Sequence, residues 1–305
     1  MDLNPYSLVE AVENDKPIIL KNCSVLYSNI KFIHNGWSST EQLIKPDCDE
    51  KKQTMDFCTF TERYFGWIDF DKPSPFKRPW IGIIHDPFTN YIYDQPKKNK
   101  LDPKRPAFIN SLALCRKIYV LTNAEKRKWD EALEKIGYGY IPVGVLYHPA
   151  VKPNPANMFS WDKFWDNKKP KIIQAGYWLR KTYSIYKLNC WELKTKFPIL
   201  KRPNTPFQKC IIPWDDRTQG LLWFTAKRDG IEISDDDKKS VLQIAPLEQD
   251  EFEKLFANSI FYLDVYDATA CNIALQCKAH GTPLFIKWNE NLAEYLGYDY
   301  PYWLK

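Results

Sequence analysis

Two stretches of the chain hold residue types that could bind and polarise an anionic ligand. One is Lys171-Ile-Ile-Gln-Ala-Gly-Tyr-Trp-Leu-Arg-Lys181, an apolar run, a glycine and then two adjacent cations. The other is Asp267-Ala-Thr-Ala-Cys-Asn-Ile-Ala-Leu-Gln-Cys-Lys-Ala-His-Gly-Thr-Pro-Leu-Phe-Ile286, which reads as a small-residue turn, a short helix, a Gly-x-Pro corner and a buried strand. Preorganised cations stabilise negative charge that builds on a departing group, so Arg180 and Lys181 are candidates for that work. A helix starting near Arg180 would add the partial positive charge of its N-terminus. The amides of Asn272, Ile273 and Ala274 open the other predicted helix, a role independent of side-chain charge. The plainer alternative for Arg180 and Lys181 is a pair of solvated helix cations.

His85 ends an apolar run and precedes Asp86 and Pro87. A neutral imidazole there can accept or donate one hydrogen bond, and Asp86 can fix its tautomer or bond the ligand itself. A strand-end histidine with a purely structural role is the alternative. His34, in Phe32-Ile-His-Asn-Gly-Trp37, has a similar local setting, whereas His148 and His280 read as turn residues. Asp69-Phe-Asp71 has the form that holds a divalent cation, but three residues among 38 acidic ones match easily by chance.

These residues need elements to hold them. Short apolar strands are predicted at 17–20, 30–34, 80–85, 117–122 and 143–148, with a helix over 124–136 that carries Trp129, Leu133 and Ile136 on one face. Residues 54–78 break the rhythm and are expected to cover the end of the sheet. The Pro- and Asn-rich stretch 149–157 reads as a linker. Alternation then restarts with strands at 171–175, 240–244, 260–265 and 284–286, and helices at 180–188, 249–257 and 272–279. The segment 194–213 carries no assignable element. Strand and helix in alternation imply parallel sheets, and ligands of such sheets bind beyond the carboxyl ends of the strands. The expected architecture is α/β, two Rossmann-like domains of residues 1–155 and 156–305 facing across a cleft, the last helix able to cross back.

Composition sets the bounds. The 305 residues exceed the usual span of one core. Hydrophobic content of 44%, charged content of 27% and a mean hydropathy of −0.49 describe an ordinary globular chain. No apolar run is long enough to span a bilayer and no secretory signal is visible, so a cytoplasmic location is expected. The eight cysteines form no Cys-x-x-Cys pair and read as reduced core thiols. A net charge of +5 is modest for a phosphate-reading surface, which argues against a nucleic-acid partner. The run 96–106 concentrates five cations and is either a solvated loop or an anion contact.

The order of these motifs resembles GT-B glycosyltransferases of the retaining family 4 type over roughly residues 80–300. The strand-His-Asp-Pro segment, Val120-Leu-Thr122 and Val145-Leu-Tyr-His-Pro149 are similar to the acceptor-side domain. Gly176-Tyr-Trp-Leu-Arg-Lys181, Ala245-Pro-Leu-Glu-Gln-Asp250 and residues 272–283 are similar to the donor-side domain. The resemblance implies transfer of a sugar from a nucleoside diphosphate, UDP or GDP foremost, to a hydroxyl on a glycan or glycoprotein, with retention and without metal or cofactor. Arg180, Lys181 and His85 would be catalytic; Gly176, Tyr177, Asp86, Asp267, Asn272, Ile273 and Gln276 would bind the donor. The chain departs from the family at two acids. Gln276 stands where a Glu bonds the ribose, and Ala268 where a second acid aligns the sugar, leaving Asp267 or Asp264 to supply the missing carboxylate. Gln276 can still make two ribose hydrogen bonds without charge assistance, at a loss of about 1 kcal/mol or more. The competing expectations are a metal-dependent GT-A enzyme built on Asp69 and Asp71, a non-catalytic sugar-nucleotide or partner-binding module, and a DNA-modifying glycosyltransferase.

Overall fold

The computed structural model describes residues 75–88, 105–148, 150, 152–177, 179–202 and 205–304, together with 30–32, 55–58, 61 and 65. The chain divides into two compact units, one of residues 1–151 with 268–270, the other of 152–267 with 271–305. The expected strand at 17–20 lies outside the described residues.

In the first unit, β1 (Ile30–Phe32), β2 (Met55–Cys58), β3 (Trp80–Ile84), β4 (Cys115–Val120) and β5 (Val143–Val145) form a parallel sheet in that spatial order. All of β3 is buried, as a strand covered on both faces must be. Its Trp80 packs with Phe65, Phe76 and Phe108, and the indole N–H donates to the Ser111 carbonyl at 2.7 Å on α1 (Pro106–Leu112). α2 (Asn123–Lys135) starts where the Thr122 hydroxyl accepts the Glu125 amide, and it buries Trp129 and Leu133 one turn apart. The expectation that residues 54–78 cover the sheet's end is corrected by β2, which pairs with β1 on one side and β3 on the other. Met-Asp-Phe-Cys is too short and too mixed to show as an apolar run.

The second unit opens with α3 (Trp161–Asp166) and β6 (Lys171–Ala175), followed by α4 (Ser184–Lys187), α5 (Cys190–Lys196), β7 (Gln208–Ile212) and α6 (Asp216–Arg228). Then come α7 (Asp235–Ser240), β8 (Val241–Gln243), α8 (Gln249–Asn258), β9 (Ser259–Leu263), α9 (Asn272–His280), β10 (Leu284–Lys287), α10 (Glu290–Leu296) and β11 (Trp303–Leu304). The six strands are parallel in the order β8-β7-β6-β9-β10-β11. Winding proceeds outward from β6 in one direction and then from β9 in the other, so the chain reverses between those two strands. Such a switch point leaves a crevice at the carboxyl ends of the two strands, because their following connections diverge.

Among the elements that escaped the sequence pattern, β7 and α6 matter most for the site. β7 lies inside the segment 194–213, where flanking prolines and lysines hide Gln-Lys-Cys-Ile-Ile. α6 did carry signals: Asp215 accepts the Thr218 amide at 2.7 Å, Asp216 stands in the first turn, and Lys227 and Arg228 in the last. The helix α9 ends as expected at Gly281, in the left-handed region with φ +68°. Among the described cysteines all six are free, five of them buried.

Candidate functional site

The connection leaving β6 occupies the switch point. Its first residue, Gly176, has φ +74°, and its amide donates to the Ile212 carbonyl at the end of β7 at 2.8 Å. A Cβ on this residue would fall 1.7 Å from Nη1 of Arg180, so the guanidinium lies directly over the glycine. Nη2 of Arg180 donates to the Sγ of Cys271 at 3.2 Å, and Cys271 is the cap residue of α9. Nε of Arg180 is buried without a hydrogen-bond partner, and among the described residues no carboxylate pairs with this arginine. The backbone is pinned from the other side. Arg180 forms an antiparallel bridge with Val265, and the Tyr266 amide donates to the Leu179 carbonyl at 2.9 Å.

Lys181 faces a different set of partners. Its amide donates to the Asp264 carbonyl at 2.8 Å, while Nζ stands 3.4 Å from Oδ1 of Asp264 and 5.3 Å over the ring of Tyr266. Lys287, at the end of β10, holds the other oxygen of Asp264 at 2.9 Å. Successive residues of an extended segment point to opposite faces. The structure therefore splits the expected cation pair, with Arg180 at the start of α9 and Lys181 against a carboxylate. The expected helix at 180–188 is corrected too. The one-turn helix α4 begins only at Ser184, so no helix dipole is centred on Arg180.

A residue that the sequence pattern missed holds this connection in place. Gln174 of β6 is wholly buried, and its Oε1 accepts the Ser184 hydroxyl and the Ile185 amide, each at 3.1 Å. Its Nε2 donates to the Lys181 carbonyl at 3.3 Å. A polar residue in a central strand was the available signal, since burial demands that its groups be satisfied. Gln174→Leu strands three polar groups and is expected to destabilise the protein by about 1–3 kcal/mol, measurable by urea unfolding.

Further along, Asp229 gathers the ends of several elements. Its carboxylate accepts from the phenols of Tyr183 and Tyr266 and from Nε of Arg228, whose guanidinium lies 4.0 Å over the Tyr266 ring. Burial pushes the Asp229 carboxyl up, but the hydrogen bonds from Arg228, Tyr266 and Tyr183 more than offset it, leaving it below the usual range. Burial first, and then the bond to Asp229, push both phenols up, which keeps them donors. A carboxyl lowered in the folded state stabilises above its unfolded pKa of about 4 and loses that contribution as pH falls through its folded value. The stability advantage of the wild type over Asp229→Asn should accordingly shrink in unfolding curves taken below about pH 4.

The remaining candidates fall as follows. The Tyr177 hydroxyl accepts from Nη1 of Arg217, in the first turn of α6, at 2.6 Å. Asn272 is exposed and Ile273 buried at the start of α9, which has no side-chain cap. Gln276 sits half-buried on the same helix, its carbonyl accepting from Nδ1 of His280 at 2.8 Å. Asp267 accepts from the amide of Asn289 at 3.1 Å, and Asn289 in turn caps α10. His85 and Asp86 follow β3 in the first unit. Their turn is anchored by Glu125, an almost fully buried residue that accepts the Phe88 amide at 2.7 Å and pairs with Lys128 at 2.7 Å. His34, Asp69, Asp71 and residues 96–104 lie outside the described residues.

No family model and no curated protein matches the sequence. Solved structures resemble its fold. An α,α-trehalose-phosphate synthase (UDP-forming) from Burkholderia vietnamiensis aligns with a TM-score of 0.50 at 13% identity, over 84% of this chain and 63% of its own. A sucrose-phosphate synthase from Thermosynechococcus elongatus aligns at 0.49 and 11% identity, over 81% of this chain and 59% of its own. The two units carry the GT-B type of Rossmann-like fold. The chain spans about three-fifths of the length of these structures. At such identities the likeness concerns the fold alone, and function has to be argued from the site.

Proposed function

We propose that the chain is a glycosyltransferase that takes a sugar from a nucleoside diphosphate, with the diphosphate bound where β6 and β9 diverge. The observation that carries this reading is Arg180. A guanidinium held over a glycine, partly buried, unpaired with any described carboxylate and set beside the start of α9, is suited to an anion. Burying it without a counter-charge costs stability, which a bound anion would offset. The first-turn amides of Asn272, Ile273 and Ala274 would bind the same anion. Gly176 leaves room for that guanidinium to lie against the backbone, and Tyr177, Asp267 and Gln276 would complete the donor-side set.

As the diphosphate leaves, charge grows on its oxygens, and Arg180 would stabilise it without reorganising. Lys181 has a smaller share, because Asp264 already offsets its charge. In a retaining reaction the leaving phosphate itself can take the acceptor proton, so no separate protein base is required. His85, aided by Asp86, would orient the donor sugar, the first unit serving the acceptor and the second the donor. A UDP- or GDP-sugar as donor and a glycan hydroxyl as acceptor remain the favoured substrates.

A second reading is supported by residues 268 and 276. With Ala and Gln in place of two acids, the chain would bind a sugar nucleotide without turning it over. Thermal melts against a panel of UDP-, GDP-, ADP- and TDP-sugars test both, because a ligand at 100 times its dissociation constant stabilises by about 2.7 kcal/mol. A stabilising donor that is also consumed supports the transferase; stabilisation without turnover supports the binding module. No stabilisation by any nucleotide sugar overturns both.

A further inference from the structure

We propose that one face of the second unit docks peripherally on an anionic lipid surface. Two stretches of that unit hold cations and no carboxylate: residues 167–171, with Lys168, Lys169 and Lys171, and residues 193–202, with Lys194, Lys196, Lys201 and Arg202. With the flanking Asp166 and Glu192 counted against the seven cations, this region carries a local net charge of +5, as much as the whole chain, so the distribution is polarised. Among the described residues none of the seven pairs with a carboxylate.

The fold brings the two stretches together at the amino-terminal edge of β6 and β7, away from Arg180. The Gln208 amide donates to the Pro170 carbonyl at 2.9 Å, and Arg202 donates to the Trp165 carbonyl at 2.9 Å. Lys194 donates to the Thr205 carbonyl at 2.7 Å. Amid these cations stand two exposed apolar side chains, Trp191 at 76% and Ile199 at 47% exposure.

This combination favours a bilayer over a nucleic acid. A strand of bases needs successive open ring faces, yet beside the exposed Trp191 the rings of Trp165 and Phe207 stack on each other and are covered by Arg202 at 5.4 Å and Lys194 at 4.6 Å. An aliphatic Ile199 offers a phosphodiester nothing, whereas the boundary between headgroups and acyl chains accepts both an indole and an isoleucine. The lysines reach the lipid phosphates from beside them, each with a favourable contribution near a negatively charged leaflet. No described helix is long and apolar enough to cross a membrane.

Flotation of the full chain with phosphatidylcholine vesicles, with and without phosphatidylserine, tests this. The wild type should float with the anionic vesicles and not with the neutral ones. Lys168→Glu, Lys196→Glu and Lys201→Glu combined should lower the bound fraction by at least about tenfold at an unchanged melting temperature. Trp191→Ala with Ile199→Ser should weaken binding several-fold and leave its salt dependence intact. The proposal is overturned if the wild type ignores anionic vesicles, or if charge reversal leaves flotation unchanged. Binding to DNA that these variants abolish, with no vesicle binding, overturns it equally.

Discussion

Arg180→Met is expected to lower sugar transfer by two to four decades, about 3–5 kcal/mol of transition-state stabilisation, measured as kcat with a saturating nucleotide-sugar donor. The side chain is already part-buried and unpaired, so its removal relieves the folded state of an uncompensated charge while depriving the leaving group of one. The variant should therefore melt no lower than the wild type. Arg180→Lys should recover little, because an ammonium cannot lie flat over Gly176 and reach α9 with the same fork of donors. Lys181→Met should cost far less activity than Arg180→Met, since Asp264 and Lys287 remain to balance each other. Equal losses at the two positions, or none at Arg180, would remove Arg180 from its proposed role.

Gly176→Ala should be nearly as damaging, and by a route that can be separated. A left-handed φ costs a residue with a Cβ about 1–2 kcal/mol, and the new carbon would also fall on the guanidinium. The melting temperature should drop by several degrees, at about 2–4 °C per kcal/mol for a unit of this size. Donor binding should fall with it, because Arg180 is pushed from its seat. In an Arg180→Ala background the collision is gone and only the backbone strain is left. Gly176→Ala should then cost measurably less, and a double-mutant cycle read by urea unfolding would report the coupling. Purely additive losses would show that glycine and guanidinium do not depend on each other.

The residue types of the candidate site stood out in the sequence, and their spatial arrangement did not. Gly176, Arg180 and the start of α9 stood out because a glycine, a cation and a run of small residues next to apolar strands have few other uses. Lys181 looked equivalent to Arg180 because adjacency in sequence says nothing of which face an extended segment presents. Gln174 was overlooked because one polar residue in a central strand resembles noise until burial shows three groups depending on it. Glu125 gave no signal of its own within the predicted helix, although it is buried and holds the turn that follows His85.

Sequence alone determined the α/β class and most strands, since a strand buried on both faces is apolar along most of its length, as β3 is and as β9 is after Ser259. It also marked the apolar face of α2 and the glycine that ends α9, because those signals act over a few residues. Only the tertiary structure decided the strand order, which puts β9 beside β6 across 83 intervening residues and so creates the point where Arg180 meets Cys271 and Lys181 meets Asp264. Pairing between distant strands is set by how helices cover the sheet and by loop closure, and neither leaves a local trace in the chain.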